Sequence, residues 1–173
     1  MATVIRRLER SDEVGGFDCG DQPLNSYLQR HAWSNQEKSS IGVTYVAVED
    51  QADRKVLGYF TLAMASIPRD AFPPKHVRGL PAYDLPLLLL ARLAVVDSRF
   101  AGQGLGHALI AEVFRIALRL ADEVGCRCIV TDAYRERTGW YRRYGFEPIE
   151  GCAADGPHRM FLDVRTVREA KRS

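Results

Sequence analysis

A chain of 173 residues, 46% hydrophobic and 27% charged, has the length and balance of one globular domain on one core. A formal net charge of +2 is too small to mark a nucleic-acid binder by itself. No apolar run reaches the ~20 residues of a membrane span, and Met1-Ala2-Thr3-Val4-Ile5-Arg6-Arg7 is too short and too charged for a signal peptide, so residues 1–173 read as a single cytoplasmic domain.

Thr3 to Leu8 alternates weakly and predicts a first strand. Phe17-Asp18-Cys19-Gly20 reads as a turn. Asp21 then caps a helix with Pro23 in its first turn, where a missing N–H does no harm. Leu24, Tyr27, Leu28 and His31 recur at helical spacing and carry this helix to Gln36. Val43 to Glu49 and Lys55 to Ile67 flank the turn Gln51-Ala52-Asp53 and predict a hairpin. Pro68 to Pro86 holds five of the eight prolines and predicts a long irregular connection. Leu87 to Val96 is almost continuously apolar, the pattern of a central strand buried on both faces.

The clearest helix comes next. Leu105, Leu109, Val113, Ile116, Leu120 and Val124 fall on one stripe, and Gly125 supplies the stop. Cys128 to Asp132 predicts a strand, and Arg135 to Tyr144 a short helix ended by Gly145. Phe146 to Ile149 and Met160 to Val164 predict two more strands. The result is an α/β fold, a mixed sheet flanked by helices. Cys19, Cys126, Cys128 and Cys152 lack a zinc spacing and read as small core residues, so no metal is expected. Arg135, Arg137, Arg142 and Arg143 form one basic cluster, and Arg165, Arg168, Lys171 and Arg172 another; either alone reads as solvated surface.

Between the apolar strand and the long helix lies Gly102-Gln103-Gly104-Leu105-Gly106. A strand, a glycine turn and a helix start make an anion site: glycines remove obstructing Cβ atoms, and helix N–H groups point at a phosphate. A bare turn is the alternative. His107 stands where a Walker loop needs Lys, and the elements ahead of the loop argue against a dinucleotide fold.

Ala91-Arg92-Leu93-Ala94-Val95-Val96-Asp97 with this loop resembles motif A of the GNAT acetyltransferases. Trp140-Tyr141-Arg142-Arg143-Tyr144-Gly145-Phe146 resembles the aromatic-Tyr-x-x-Phe-Gly-Phe segment downstream. One departure is Ala101, which stands where the signature begins with Gln or Arg and removes one side-chain contact. The resemblance implies a GNAT fold with a splayed sheet and acetyl-CoA as co-substrate. The pyrophosphate would lie on Gly102, Gln103, Gly104, Leu105, Gly106 and His107. The pantetheine arm would bond to Leu93, Ala94 and Val95 like an added strand, with the thioester near Tyr141.

Tyr141 is the candidate acid, because a phenol with a pKa of about 10 is protonated at neutral pH and can donate to a departing thiolate. The strand offers no carboxylate before Asp97, so no base is named, and the amine acceptor is expected to be weakly basic. Arg92 either meets a substrate phosphate or makes a structural salt bridge.

Phe17-Asp18-Cys19-Gly20-Asp21-Gln22-Pro23-Leu24-Asn25-Ser26-Tyr27-Leu28 resembles the Phe-x-Cys-Gly-x-x-x-Leu-Asp-x-Phe-Leu pattern of GNAT toxins from bacterial toxin–antitoxin pairs, with Asn25 for Asp and Tyr27 for Phe. Pro157-His158-Arg159-Met160-Phe161-Leu162 fits the same group. This resemblance implies acetylation of the α-amino group of aminoacyl-tRNA, a translation block, a ribbon-helix-helix antitoxin and a homodimer. Arg92, Arg142 and Arg143 would then contact tRNA. Two other readings stand beside it: a GNAT enzyme acting on a small amine or a protein N-terminus, and a CoA-binding module without turnover.

Overall fold

The computed structural model describes residues 3–96, 104–149 and 157–173. The strands are β1 (Val4–Arg7), β2 (Val43–Val48), β3 (Gly58–Ile67), β4 (Leu85–Val95), β5 (Cys128–Ala133), β6 (Glu147–Pro148) and β7 (His158–Asp163). They form one sheet in the order β1-β2-β3-β4-β5-β7-β6. The hairpin β2–β3 and the pairs β1–β2, β5–β7 and β6–β7 are antiparallel, whereas β4 and β5 run parallel. A parallel step needs a crossover, and α4 (Leu105–Glu123) supplies it. The other helices are α1 (Gln22–Arg30), α2 (Ala32–Glu37), α3 (Pro74–Val77), α5 (Thr138–Arg142) and α6 (Val164–Arg172). This is the mixed α/β sheet flanked by helices expected from the sequence.

By their internal packing the residues fall into two compact units, Met1–Ala63 with Ala91–Val113 and Met64–Leu90 with Phe114–Ser173. In the first, Leu8, Phe17, Tyr27, Leu28, Val46, Val48, Tyr59 and Ala94 share a core. Asp21 caps α1 as expected, its Oδ1 accepting from the Leu24 N–H at 3.1 Å. The single helix expected to run to Gln36 is instead two, broken at His31 (φ −120°, ψ −33°). Gln36 in the second of them is buried: its amide donates to the Leu8 carbonyl at 3.1 Å and accepts from the Thr44 N–H at 3.1 Å. Those bonds satisfy backbone groups beside the sheet. A buried fork from Arg6 to Asp12, at 2.9 and 2.7 Å, braces the chain after β1.

In the second unit, Ile67, Phe72, Val77, Leu85, Leu87, Cys128, Val130 and Phe161 pack together. The proline-rich segment is less irregular than its composition suggests. It contains a 3-10 turn (Arg69–Ala71) and α3, and Arg69 donates to the Val77 carbonyl at 3.0 Å, so Phe72 and Val77 can be buried. Strand β4 starts at Leu85, with Pro86 exposed inside it. The apolar stripe of α4 ends sooner than expected. Val124 lies beyond the helix and is 78% exposed, and Gly125 (φ +115°) closes it by donating to the Leu120 carbonyl at 2.8 Å. The basic C-terminal cluster folds into α6, a helix that the sequence reading did not anticipate. Its Val164 and Val167 are buried, Asp163 caps it through the Arg165 N–H at 2.8 Å, and Arg168 forks out to Asp122 at 2.7 Å.

Candidate functional site

Strand β4 changes character along its length. Leu85, Leu87, Leu88 and Leu90 are buried, while Ala91, Arg92, Leu93 and Val95 are half-buried. Its ladder to β5 runs from Leu87↔Cys128 to Leu90↔Thr131. In the first unit the later half of β4 is gripped from the other side: the Val96 N–H donates to the Leu57 carbonyl at 2.9 Å. Gly58 makes that approach possible. A Cβ there would stand 3.0 Å from the Ala94 carbonyl oxygen, 3.2 Å from Leu109 Cδ1 and 3.5 Å from Leu105 Cδ2. The absence of a side chain at one position thus fixes β3, β4 and the start of α4 to each other.

Of the glycine loop, Gly102 and Gln103 lie outside the described residues, as do Ala101 and Asp97. Gly104 has φ +80°, a conformation that favours glycine. Its carbonyl accepts from the Ala108 N–H at 2.9 Å, so Gly104 stands at the N-terminal end of α4. Leu105 is buried, Gly106 half-buried and His107 exposed. Such a helix start has the donors and the dipole for an anion.

Arg92 does not make, among the described residues, the structural salt bridge that was one of its two sequence alternatives. Its guanidinium lies over the Tyr27 ring, 3.6 Å from the centroid, and no carboxylate pairs with it among the described residues. Tyr27 is buried, and its hydroxyl lies 3.3 Å from the Asn35 amide nitrogen. The Tyr59 hydroxyl beside them donates to the Leu24 carbonyl at 2.7 Å; burial pushes its pKa well up, against the opposing charge of Arg92. The N-terminal motif builds the floor of this arrangement. Buried Asn25 accepts from the Cys19 N–H at 2.9 Å and donates to Asp18 at 2.9 Å, fixing the start of the helix that carries Tyr27. An amide both accepts and donates here, which an ionised Asp in its place would not do.

In the second unit, Tyr141 sits on α5 and is 7% exposed. Its ring packs edge-on against Trp140 and Phe146, with centroids at 4.9 and 5.4 Å. Burial raises the phenol pKa, and the nearby Thr131 hydroxyl and the charge of Arg137 pull the other way without cancelling it. The group is thus a protonated acid across the neutral range. Gly145 (φ +95°) turns the chain out of α5 so that Phe146 can pack under Tyr141. Arg142 and Arg143 are exposed, as are Arg135 and Arg137, and no carboxylate pairs with these four among the described residues. By contrast, Arg159 forks onto Asp132 at 2.7 and 2.8 Å.

The sequence reading missed Tyr27 as a partner of Arg92 and Thr131 as a group acting on the Tyr141 phenol. Cys126 and Cys128 are buried thiols, with Cys128 pushed up to about 12 mainly by burial, which fits their reading as core residues. Cys152 lies outside the described residues. Among the described residues no helix is long and apolar enough to cross a membrane, and no cluster of three or more His, Cys, Asp or Glu is placed to hold a metal.

Comparison with known proteins gives a consistent set of matches. A family model described as an acetyltransferase (GNAT) domain matches residues 40–148. A tRNA-acetylating toxin of Mycobacterium tuberculosis (strain ATCC 25618 / H37Rv) is 32% identical over 167 residues, covering 94% of this chain and 94% of its own. Among solved structures, AtaT complexed with acetyl-methionyl-tRNAfMet matches with a TM-score of 0.87 at 24% identity, over 98% of this chain and 99% of that one. AtaTR bound with AcCoA matches with a TM-score of 0.79 at 25% identity, over 98% of each.

Proposed function

Because the chain belongs to the GNAT acetyltransferase family, we propose that it transfers the acetyl group of acetyl-CoA to the α-amino group of aminoacyl-tRNA and blocks translation as a toxin. The observation that carries the chemistry is Tyr141: a buried phenol with its pKa raised, on the helix of the Trp140–Phe146 motif. The substrate assignment is supported by the near full-length likeness to a tRNA-acetylating toxin.

In this reading the amides of Gly102, Gln103, Gly104, Leu105, Gly106 and His107 hold the pyrophosphate, and the backbone of Leu93, Ala94 and Val95 holds the pantetheine arm. The neutral amine attacks the thioester carbonyl. The C–N bond forms and the C–S bond breaks. Tyr141 gives its proton to the sulfur, and the proton lost by the amine returns to the phenolate through solvent. An α-amine titrates near ~8, and an esterified one lower, so a useful fraction is neutral at pH 7 without a carboxylate base. Arg92 contacts the acceptor end, and Arg142 and Arg143 the tRNA phosphates. A ribbon-helix-helix antitoxin, a homodimeric state and a cytoplasmic setting complete the proposal.

The test is incubation with labelled acetyl-CoA and charged or uncharged tRNA. Label on charged tRNA only, lost with Tyr141→Phe, is the expected result. Label that passes instead to small amines or peptide N-termini, or to nothing, would overturn the assignment.

A further inference from the structure

We propose that Arg92 is a specificity-determining residue: seated over Tyr27, its guanidinium receives the phosphodiester that precedes the aminoacylated ribose, so that amines without this phosphate are poor acceptors. The inference rests on the aminoacyl-tRNA reading and names the chemical group by which the acceptor end is selected.

A guanidinium carries its N–H donors in a planar fork that matches a pair of oxygens on one anion. Elsewhere this protein closes such forks on carboxylates. Arg6 bonds Asp12 at 2.9 and 2.7 Å, and Arg159 bonds Asp132 at 2.7 and 2.8 Å. Arg92 differs. Among the described residues none of its donors meets an acceptor, and its contact is the Tyr27 ring, 3.6 Å from the centroid. It is half-buried, yet its nitrogens are not among the buried unbonded atoms, so they still reach solvent. Partial burial of a cation whose fork is unbonded carries a desolvation cost, which a ligand with matching acceptors would offset.

The seat is fixed from two directions. On β4, Arg92 lies two residues past Leu90, the last partner in the ladder to β5, and directly ahead of Leu93, Ala94 and Val95. Strand alternation puts it on the face of Ala94, which shares a core with Tyr27. The Asn35 amide donates to the Tyr27 hydroxyl at 3.3 Å and holds the ring. An aromatic face orients a guanidinium without using its N–H groups. The fork is therefore preorganised and open.

The chemistry of the acceptor selects the anion. In an aminoacyl ester the amino acid's carboxyl group is taken up by the ribose. The anion nearest the amine is then the phosphodiester on the far side of that sugar, and its non-bridging oxygens suit the fork better than they suit the point charge of a lysine. A small amine has no such group, and a free amino acid has a carboxylate instead.

The test compares two acceptors with the same free α-amine: an adenosine carrying an aminoacyl amide on its 3′ position, and that nucleoside joined through its 5′ oxygen to cytidylate, which adds the phosphodiester. Labelled acetyl-CoA follows the reaction, and the readout is the ratio of kcat/KM for the two acceptors. The native enzyme should favour the second about tenfold or more, the scale of hydrogen bonds to a charged group. Arg92→Gln should bring the ratio to about one, and Arg92→Lys, which keeps the charge without the fork, to about two or three. If these variants do not fold, a neutral methylphosphonate in place of the phosphodiester should abolish the preference of the native enzyme. Equal use of both acceptors, or a preference that survives Arg92→Gln or the methylphosphonate, would overturn the role of Arg92 and leave the tRNA reading standing. Acetylation of free amino acids that falls with Arg92→Gln would assign the fork to a carboxylate and overturn it as well. No label on either acceptor or on charged tRNA would remove the tRNA reading and this inference together.

Discussion

Gly58→Ala puts a single methyl group at the junction of β3, β4 and α4, where its effect can be worked out. The new carbon would stand 3.0 Å from the Ala94 carbonyl oxygen and 3.2 Å from Leu109 Cδ1. Ordinary contacts begin at about 3.3–3.5 Å, so a shift of a few tenths of an ångström is forced. Leu109 can swing its tip, but the Ala94 oxygen is main chain and moves only with β4. Overpacking of this kind costs about 1–3 kcal/mol. Removing a strand glycine returns about 0.5–1 kcal/mol of chain entropy, which leaves a net loss of up to about 2.5 kcal/mol. At ~2–4 °C per kcal/mol for a chain of this size, the melting temperature falls by up to about 10 °C. Since Ala94 and Leu105 are proposed to grip the co-substrate, calorimetry should also show acetyl-CoA binding weakened about three- to tenfold. Gly42→Ala is the control, because its nearest contacts would lie at 3.4 Å. A Gly58→Ala protein with unchanged melting and unchanged acetyl-CoA affinity would refute the argument.

Other expectations follow from the same geometry. Asp12→Asn leaves the Arg6 guanidinium, 8% exposed, without its carboxylate and should cost about 3–5 kcal/mol in urea unfolding. Burial alone would raise the Asp12 pKa, but the hydrogen bonds from Arg6 and the Glu9 N–H and the charges of Arg6 and Arg54 outweigh it, so the folded value is depressed. Its stabilisation is therefore complete above the unfolded value of about 3.9 and lost as pH falls through the folded one, and Asp12→Asn should flatten that acid limb. Arg142→Ala combined with Arg143→Ala should weaken tRNA binding more at low salt than at high, lowering the salt slope by about 1–2; a slope and affinity equal to wild type would refute those contacts. Tyr27→Leu should weaken charged-tRNA binding about two- to fivefold by releasing Arg92. Tyr27→Phe, which keeps the ring, should not, and acetyl-CoA binding should be unchanged in both.

What the sequence made legible was local. The Asp21 cap, the hairpin β2–β3 and the course of α4 follow from side-chain period and cap chemistry within a few residues. The break at His31 was hidden, because the helical spacing of Leu24, Tyr27, Leu28 and His31 runs straight through it, and the bonds of Gln36 beyond it go to Leu8 and Thr44, distant in sequence. Helix α6 was hidden by its own composition: with only Val164 and Val167 buried, its pattern reads as a charged tail. Tyr141 was visible through the motif around it, whereas Thr131 was not. A threonine in an apolar strand looks like an ordinary β-former, and its hydroxyl bonds to the Leu90 carbonyl, distant in sequence.

The seat of Arg92 on Tyr27 bears on how this enzyme would attract its substrate. A carboxylate would anchor a guanidinium equally well but would cancel its field. An aromatic face anchors it through the ring quadrupole and leaves the full unit charge in place. The attraction this residue exerts on an approaching polyanion is therefore not offset by a paired carboxylate, and should weaken only as added salt screens it.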